Sequence, residues 1–225
     1  MAVIEALFDK KCICQLCGNH FTSKKMRSRF IKCLSYDTDF FPNYSDLEHN
    51  PMLYTIYVCP ACGYSFSDDF SPVQTTAGKT LLEEKICRNW TPRSYSGKRS
   101  IDDAIITFKL AFYCAVLKKE KHIVIAGICL RIAWLHRLQQ NSTEEQRFMN
   151  MALNEYVESY NTTDFLGTQL TELKILYLLG ELSRRIGKTA DARKYFSKVI
   201  ERQKRSAESR IIEMAKEQWR EMRNA

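Results

Sequence analysis

The pattern of apolar and polar positions changes character once along this 225-residue chain, near residue 70. Before that point it follows no helical period. The run Leu53-Tyr-Thr-Ile-Tyr-Val58 alternates and is rich in β-branched and aromatic residues, which predicts a strand leading into Cys59. Pro42, Pro51, Pro60 and the Cys-rich turns predict loops and short strands around it. From about Ser71 apolar residues recur at helical spacing, and helices are predicted over 72–89, 100–119, 121–139, 143–160, 168–187, 189–204 and 206–222. Breaks fall at Thr91-Pro92 to Gly97, at Asn141-Ser142, at Asn161 to Gly167 and at Gly187-Lys188. Ser100 with Asp103, and Ser142 with Glu145, have capping-box spacing. The stretch Ile123 to Leu138 has only Arg131, His136 and Arg137 as strongly polar residues, so it predicts a central helix packed on several sides. Over 173–186, Ile175, Leu178, Leu179, Leu182 and Ile186 share one face and predict an amphipathic helix. The expected fold class is α+β, mainly α, with a small strand-and-loop domain at 1–70 and a helical domain at 71–225.

Composition narrows this little. Hydrophobic residues make up 45% and charged residues 27%, which suits a globular chain and excludes a disordered one. No apolar run is long enough to span a bilayer. Met1 to Lys11 carries Glu5 and Asp9 and lacks the basic-then-apolar order of a secretory signal. A cytosolic protein without a membrane partner is expected. In that reducing compartment nine cysteines read as metal ligands or buried apolar residues, not disulfides.

Two segments have the same form, Cys14-Gln-Leu-Cys17-Gly18 and Cys59-Pro-Ala-Cys62-Gly63. Cysteines at i and i+3 allow one tight turn to aim both sulfurs at one ion, and the following Gly accepts the positive φ that such a turn needs. Turn N–H groups then point at the thiolates. Two such knuckles supply four thiolates, the closed tetrahedral set of a structural Zn²⁺. Cys14, Cys17, Cys59 and Cys62 are therefore the expected ligands of one structural zinc in a ribbon, with iron as the rival ion. The 41 residues between the knuckles read as an inserted excursion. A closed four-Cys site leaves no open coordination position, which argues against a zinc hydrolase. His20, His49, His122 and His136 show no metal-pair spacing. Cys12 reads as a strand residue beside the knuckle, and Cys33, Cys87, Cys114 and Cys129 as core residues.

Charge is uneven. Residues 1–70 hold seven Lys/Arg and eight Asp/Glu, net −1, while the rest hold 27 and 18, net +9. The run Lys24-Lys-Met-Arg-Ser-Arg-Phe-Ile-Lys32 carries five positive charges, and Cys33 to Phe70 carries six acids and no Lys or Arg. One reading pairs this basic strand with the acidic excursion; the other lets it contact nucleic-acid phosphates. The nine aromatics of the acidic stretch supply a core for a small ribbon. Asp37-Thr-Asp39 has the form of a carboxylate pair, but nothing around it supports acid/base work.

Leu176, Leu179-Gly180, Gly187, Ala192, Phe196 and Val199 resemble one tetratricopeptide repeat, in which small residues let paired helices approach. Ser183 and Lys204 depart from the pattern. Ala104, Phe108 and Ala111 echo its second helix, but 88 residues separate Ala104 from Ala192, which is not a multiple of 34. The resemblance implies an irregular tetratricopeptide-like hairpin array, with a plain helical bundle as the competing architecture. The whole chain also resembles a widespread bacterial family of unknown function. The resemblance rests on Cys14 to Gly18, Lys24 to Lys32, Asp37-Thr-Asp39-Phe40 and Cys59 to Tyr64. It implies a bacterial cytosolic protein and lends no activity. Phe41 stands where many members have a further Cys.

Taken together, these features predict a non-enzymatic zinc-binding adaptor whose helical body binds a protein or peptide. A nucleic-acid binder acting through 24–32 is the alternative, and a thiol-redox enzyme a distant third. The sequence does not specify the partner or the oligomeric state.

Overall fold

A computed structural model of the protein describes residues 4–73, 75–204 and 207–224. Met1 to Val3, Gln74 in the first predicted helix, the Lys204 side chain, and Ser206 at the expected start of the last helix lie outside the described residues. The strands are β1 (Leu7–Ile13), β2 (His20–Met26), β3 (Cys33–Tyr36), β4 (Pro42–Tyr44), β5 (Tyr57–Val58) and β6 (Ser65–Phe66). The helices are α1 (Thr76–Lys85), α2 (Ile101–Lys118), α3 (His122–Leu138), α4 (Ser142–Thr162), α5 (Glu172–Arg185), α6 (Thr189–Glu201) and α7 (Ser209–Asn224). Strands pair as β1-β2, β3-β4 and β5-β6. The class is thus α+β and mainly helical, with the four-Cys segment first and a helical array after it.

Three local expectations need correction. Leu53 to Val58 is not one strand. Asn50 Oδ1 accepts the Met52 N–H at 2.9 Å and Pro51 occupies the first position, so Pro51–Tyr54 closes into a 3-10 turn. Only Tyr57–Val58 remains extended. The basic run is likewise not one strand: β2 ends at Met26, and Ser28–Phe30 is a 3-10 turn. Nor is the polar side of α5, amphipathic as expected, left open to solvent. Leu173 and every residue from Ile175 to Ser183 are buried, because neighbouring elements cover its polar positions as well. The expected all-round burial of α3 is observed, with no exposed residue from His122 to Leu138. The Ser100 capping box also forms: Ser100 Oγ accepts the Asp103 N–H at 3.0 Å, and Asp103 accepts the Ser100 N–H at 3.0 Å.

The described chain groups into two compact units. The first comprises Met1–Ser35, Pro42–Glu120 and Trp134–Ser142; the second comprises Tyr36–Phe41, Lys121–Ala133 and Thr143–Ala225. In the first, Tyr64 is wholly buried and stacks on Phe66 at 5.4 Å, and Phe108 of α2 is buried. Arg99 is also buried, at 6% exposure. Its guanidinium donates to the carbonyls of Leu53 (3.1 Å) and Ile56 (2.8 Å), to the Tyr95 carbonyl (2.9 Å) and to Ser23 Oγ (3.3 Å). One cation thereby satisfies carbonyls that the short strands leave unpaired, and burial pulls its pKa down to about 10.

In the second unit α5, α6 and α7 share a core of Leu176, Tyr177, Phe196, Val199 and Ile212. A Cβ on Gly180 would lie 2.7 Å from the Phe196 ring, so α5 and α6 pack as closely as they do because that position is Gly. Residues 36–41 belong to this unit. Thr38 Oγ1 donates to Glu181 at 2.5 Å and accepts from Arg185 at 2.8 Å, while its carbonyl accepts from the Tyr177 hydroxyl at 2.8 Å. Asp39 is fully buried, 3.6 Å from Arg185. The Asp-Thr-Asp segment is therefore anchored on α5 through Thr38 and Asp39.

Candidate metal centre

Both knuckles are the turns of β-hairpins. The β1-β2 register ends at Ile13 opposite His20 and encloses residues 14–19. The β5-β6 register ends at Val58 opposite Ser65 and encloses residues 59–64. Their backbones match bond for bond. Cys14 N–H donates to Asn19 O at 2.9 Å and Gly18 N–H to Cys14 O at 2.9 Å; Cys59 N–H donates to Tyr64 O at 3.0 Å and Gly63 N–H to Cys59 O at 2.9 Å. Gly18 and Gly63 have φ of +73° and +75°, the conformation expected from sequence.

The four sulfurs converge. Cys14 Sγ lies 3.6 Å from Cys62 Sγ, Cys17 Sγ lies 3.7 Å from Cys59 Sγ, and all four fall within 4.8 Å of one another. Four sulfurs 2.3 Å from a central zinc sit about 3.8 Å apart, so the set fits a tetrahedral ion with little adjustment. Backbone N–H groups point at the sulfurs: Leu16 and Cys17 at Cys14, Ala61 and Cys62 at Cys59, and Tyr64 at Cys62. Hydrogen bonding from Cys62 holds the Cys14 thiol down at about 5, whereas burial pushes Cys59 up to about 11. Cys62 is driven up chiefly because its proton is held in the bond to Cys14. The protein's own bonds therefore favour the thiolate at Cys14 and the thiol at Cys59 and Cys62. A divalent cation supplies the charge that lets all four ionise.

Trp90, which has no role in the sequence pattern, and Cys87 complete the surroundings. Trp90 donates Nε1–H to Pro60 O at 2.9 Å and lays its ring over Gly63, where a Cβ would meet ring atoms at 2.5 Å. Cys87 was expected in the core; it is half-buried instead, with the Cys62 thiol in hydrogen-bonding reach. Its place in a short 3-10 turn after α1 is what turns it toward the knuckles. Cys33 is also only half-buried, its thiol on the Ser35 carbonyl at 3.2 Å. Cys114 and Cys129 are fully buried as expected, and Cys114 Sγ accepts the Ser65 N–H at 3.4 Å. Cys12 is a buried strand residue opposite Phe21. Among the described residues no histidine joins the sulfur cluster.

The two glycines differ in one respect that gives a test. Nothing lies within 4 Å of a Cβ built on Gly18. Gly18→Ala should cost only the left-handed backbone strain, about 1–2 kcal/mol. Gly63→Ala adds overlap with Trp90 and should cost about 2–5 kcal/mol. Denaturant unfolding of the two variants measures the gap, and equal losses would mean that Trp90 does not constrain the knuckle.

The basic run is partly neutralised, by one acid of β1 and one of the acidic stretch. Lys24 pairs with Asp9 of β1 at 2.8 Å, and Lys25 lies 3.8 Å from Asp68, which also binds Lys10 at 2.8 Å. The partner from β1 follows from the hairpin register, which sets Asp9 opposite Lys24. Arg27 and Arg29 lie over the rings of Phe8 and Phe30 at 4.9 and 4.8 Å. Among the described residues no helix is long and apolar enough to cross a membrane.

Comparison with known proteins gives one match. The bacterial family described as "Uncharacterized protein conserved in bacteria (DUF2225)" matches residues 7–222. No curated protein and no solved structure matches the chain.

Proposed function

The chain belongs to this bacterial family, and from that premise we propose that it is a non-enzymatic adaptor, with one structural zinc at Cys14, Cys17, Cys59 and Cys62 and a tetratricopeptide-like body that binds a protein or peptide. The observation that carries the reading is the four-sulfur cluster itself, a closed donor set held by two matching hairpin turns. Zinc bound there keeps no position for a substrate, so its contribution is to the fold. The closed set and the turn N–H bonds suit iron as well; zinc is preferred because it is the usual ion of a closed four-Cys structural site.

The binding role falls to the helices. α6 and α7 border a groove of about 500 Å³ lined by Ile200, Trp219, Lys216, Arg220 and Arg223 among others. An aromatic anchor flanked by arginines is the side-chain mix that dominates protein interfaces. The α5-α6 hairpin with Gly180 against Phe196 supports the tetratricopeptide likeness. The thiol-enzyme reading loses ground because the knuckle sulfurs are the ones a metal would occupy. The test is affinity capture from extract of the source bacterium with wild type and Trp219→Ala/Arg220→Glu. A partner held by the wild type and lost from the variant is expected. No partner, or one indifferent to the variant, would overturn the groove as the binding face.

A further inference from the structure

We propose that the loop joining α1 to α2 is a phosphate-contacting surface for a nucleic-acid strand. This does not depend on the adaptor reading, and it places such contacts outside the basic run 24–32. Lys85 to Arg99 holds five Lys/Arg and no Asp or Glu. Lys85 sits in the last turn of α1, where the helix dipole already accounts for it, and Arg99 is buried. Arg88, Arg93 and Lys98 remain, all exposed, and none has an ion-pair partner among the described residues. Other exposed cations do have a carboxylate within reach, as Arg147 has Glu144 and Lys25 has Asp68.

The loop is also pre-ordered. Trp90 is pinned to the second knuckle by its bond to Pro60 O. The Arg93 guanidinium stands 5.3 Å from the Trp90 ring centre and 5.2 Å from that of Tyr95, so two aromatic rings orient its planar fork. Ser94 Oγ accepts the Ser96 N–H at 3.2 Å, which fixes the intervening turn. A rigid guanidinium interleaved with Thr91, Ser94 and Ser96 hydroxyls matches the donor set that phosphodiesters take.

An acidic protein is the rival ligand, and the loop suits it less well. Protein interfaces centre on exposed apolar anchors and are depleted of Lys. No large exposed hydrophobic residue falls between 85 and 100, and Arg93 already lies against both nearby rings.

The experiment is fluorescence anisotropy of a labelled 20-nucleotide poly-U strand with the full chain at 50 and 200 mM salt. Three phosphate contacts give a slope of about −2.1 in log K against log salt, or roughly 20-fold weaker binding across that range. Arg88→Gln/Arg93→Gln/Lys98→Gln should lose the binding and its salt dependence, while Arg88→Lys/Arg93→Lys should keep most of both. Arg27→Gln/Arg29→Gln/Lys32→Gln should bind like wild type. Three results would each overturn the proposal: no binding at 50 mM salt, loss in the 27/29/32 variant in place of the loop variant, or equal competition by polyglutamate, which would mark an acidic protein as the ligand.

Discussion

Replacing Cys59 with Ser should release the metal and unfold the hairpin segment of the first unit. The strands there cannot hold themselves: β5 and β6 have two residues each, and every sheet has only two strands. An isolated two-stranded hairpin is marginal in water. The sulfur cluster joins the first hairpin to the second across 42 positions at Cys17 and Cys59, and beside it stand polar side-chain links such as Lys10 to Tyr57 and Asp68. A structural zinc in a small peptide contributes about 10–16 kcal/mol of apparent binding energy, all of it available to folding when the apo segment has no order of its own. Here the segment also packs on α2, so the loss should be smaller, yet still the largest of any single substitution in this unit. Cys59 is fully buried, and a serine hydroxyl does not ionise to replace its thiolate. Elemental analysis alongside thermal unfolding decides the matter. One zinc per wild-type chain, absent from the variant together with a lower unfolding temperature, is the expected result. Iron would redirect the search to electron transfer. A metal-free wild type with normal stability would remove the basis for the proposed centre.

Legibility in the sequence followed the range of the forces involved. The knuckles could be read because their physics is local: i, i+3 cysteines and a following glycine dictate a turn whatever surrounds it, and the sulfurs converge as expected. The helices could be read for the same reason, since Gly187, Asn141 and the Ser100 box act within one turn. One error is a missed local cap, and the other concerns partners distant in sequence. Leu53 to Val58 has strand composition, yet Asn50 and Pro51 impose a turn on its first half. Periodicity gave α5 one apolar face, but Glu181 outside that face is buried too, because residues 36–41 come in to meet it. The change at residue 70 marks where strands give way to helices. It does not mark a change of packing unit, since α1 and α2 group with the knuckles. No local signal in Asp37-Thr-Asp39-Phe40 names α5 as its partner.

That long-range partnership should carry the second large effect. Arg185→Met is expected to destabilise the second unit by about 3–5 kcal/mol, the cost typical of breaking a buried ion pair from one side. Arg185 Nε donates to Glu181 at 2.6 Å, and its Nη2 reaches Thr38 Oγ1 at 2.8 Å and lies 3.6 Å from Asp39. Both carboxylates are fully buried, so neither regains water when the guanidinium is removed. Arg184 is the internal control. It also binds Glu181, at 2.7 and 2.8 Å, but its side chain is 30% exposed. Arg184→Met should therefore cost less, about 1–2 kcal/mol, because Arg185 still neutralises Glu181. Denaturant unfolding of both variants checks the order. A double-mutant cycle of Arg185→Met with Asp39→Asn then separates the ion pair from lost packing. Coupling of about 1–3 kcal/mol would show that the Asp-Thr-Asp segment is held electrostatically. Strict additivity would mean that the segment is held by Phe40, whose ring lies 5.4 Å from that of Tyr177, and that the buried charges add specificity without net stability.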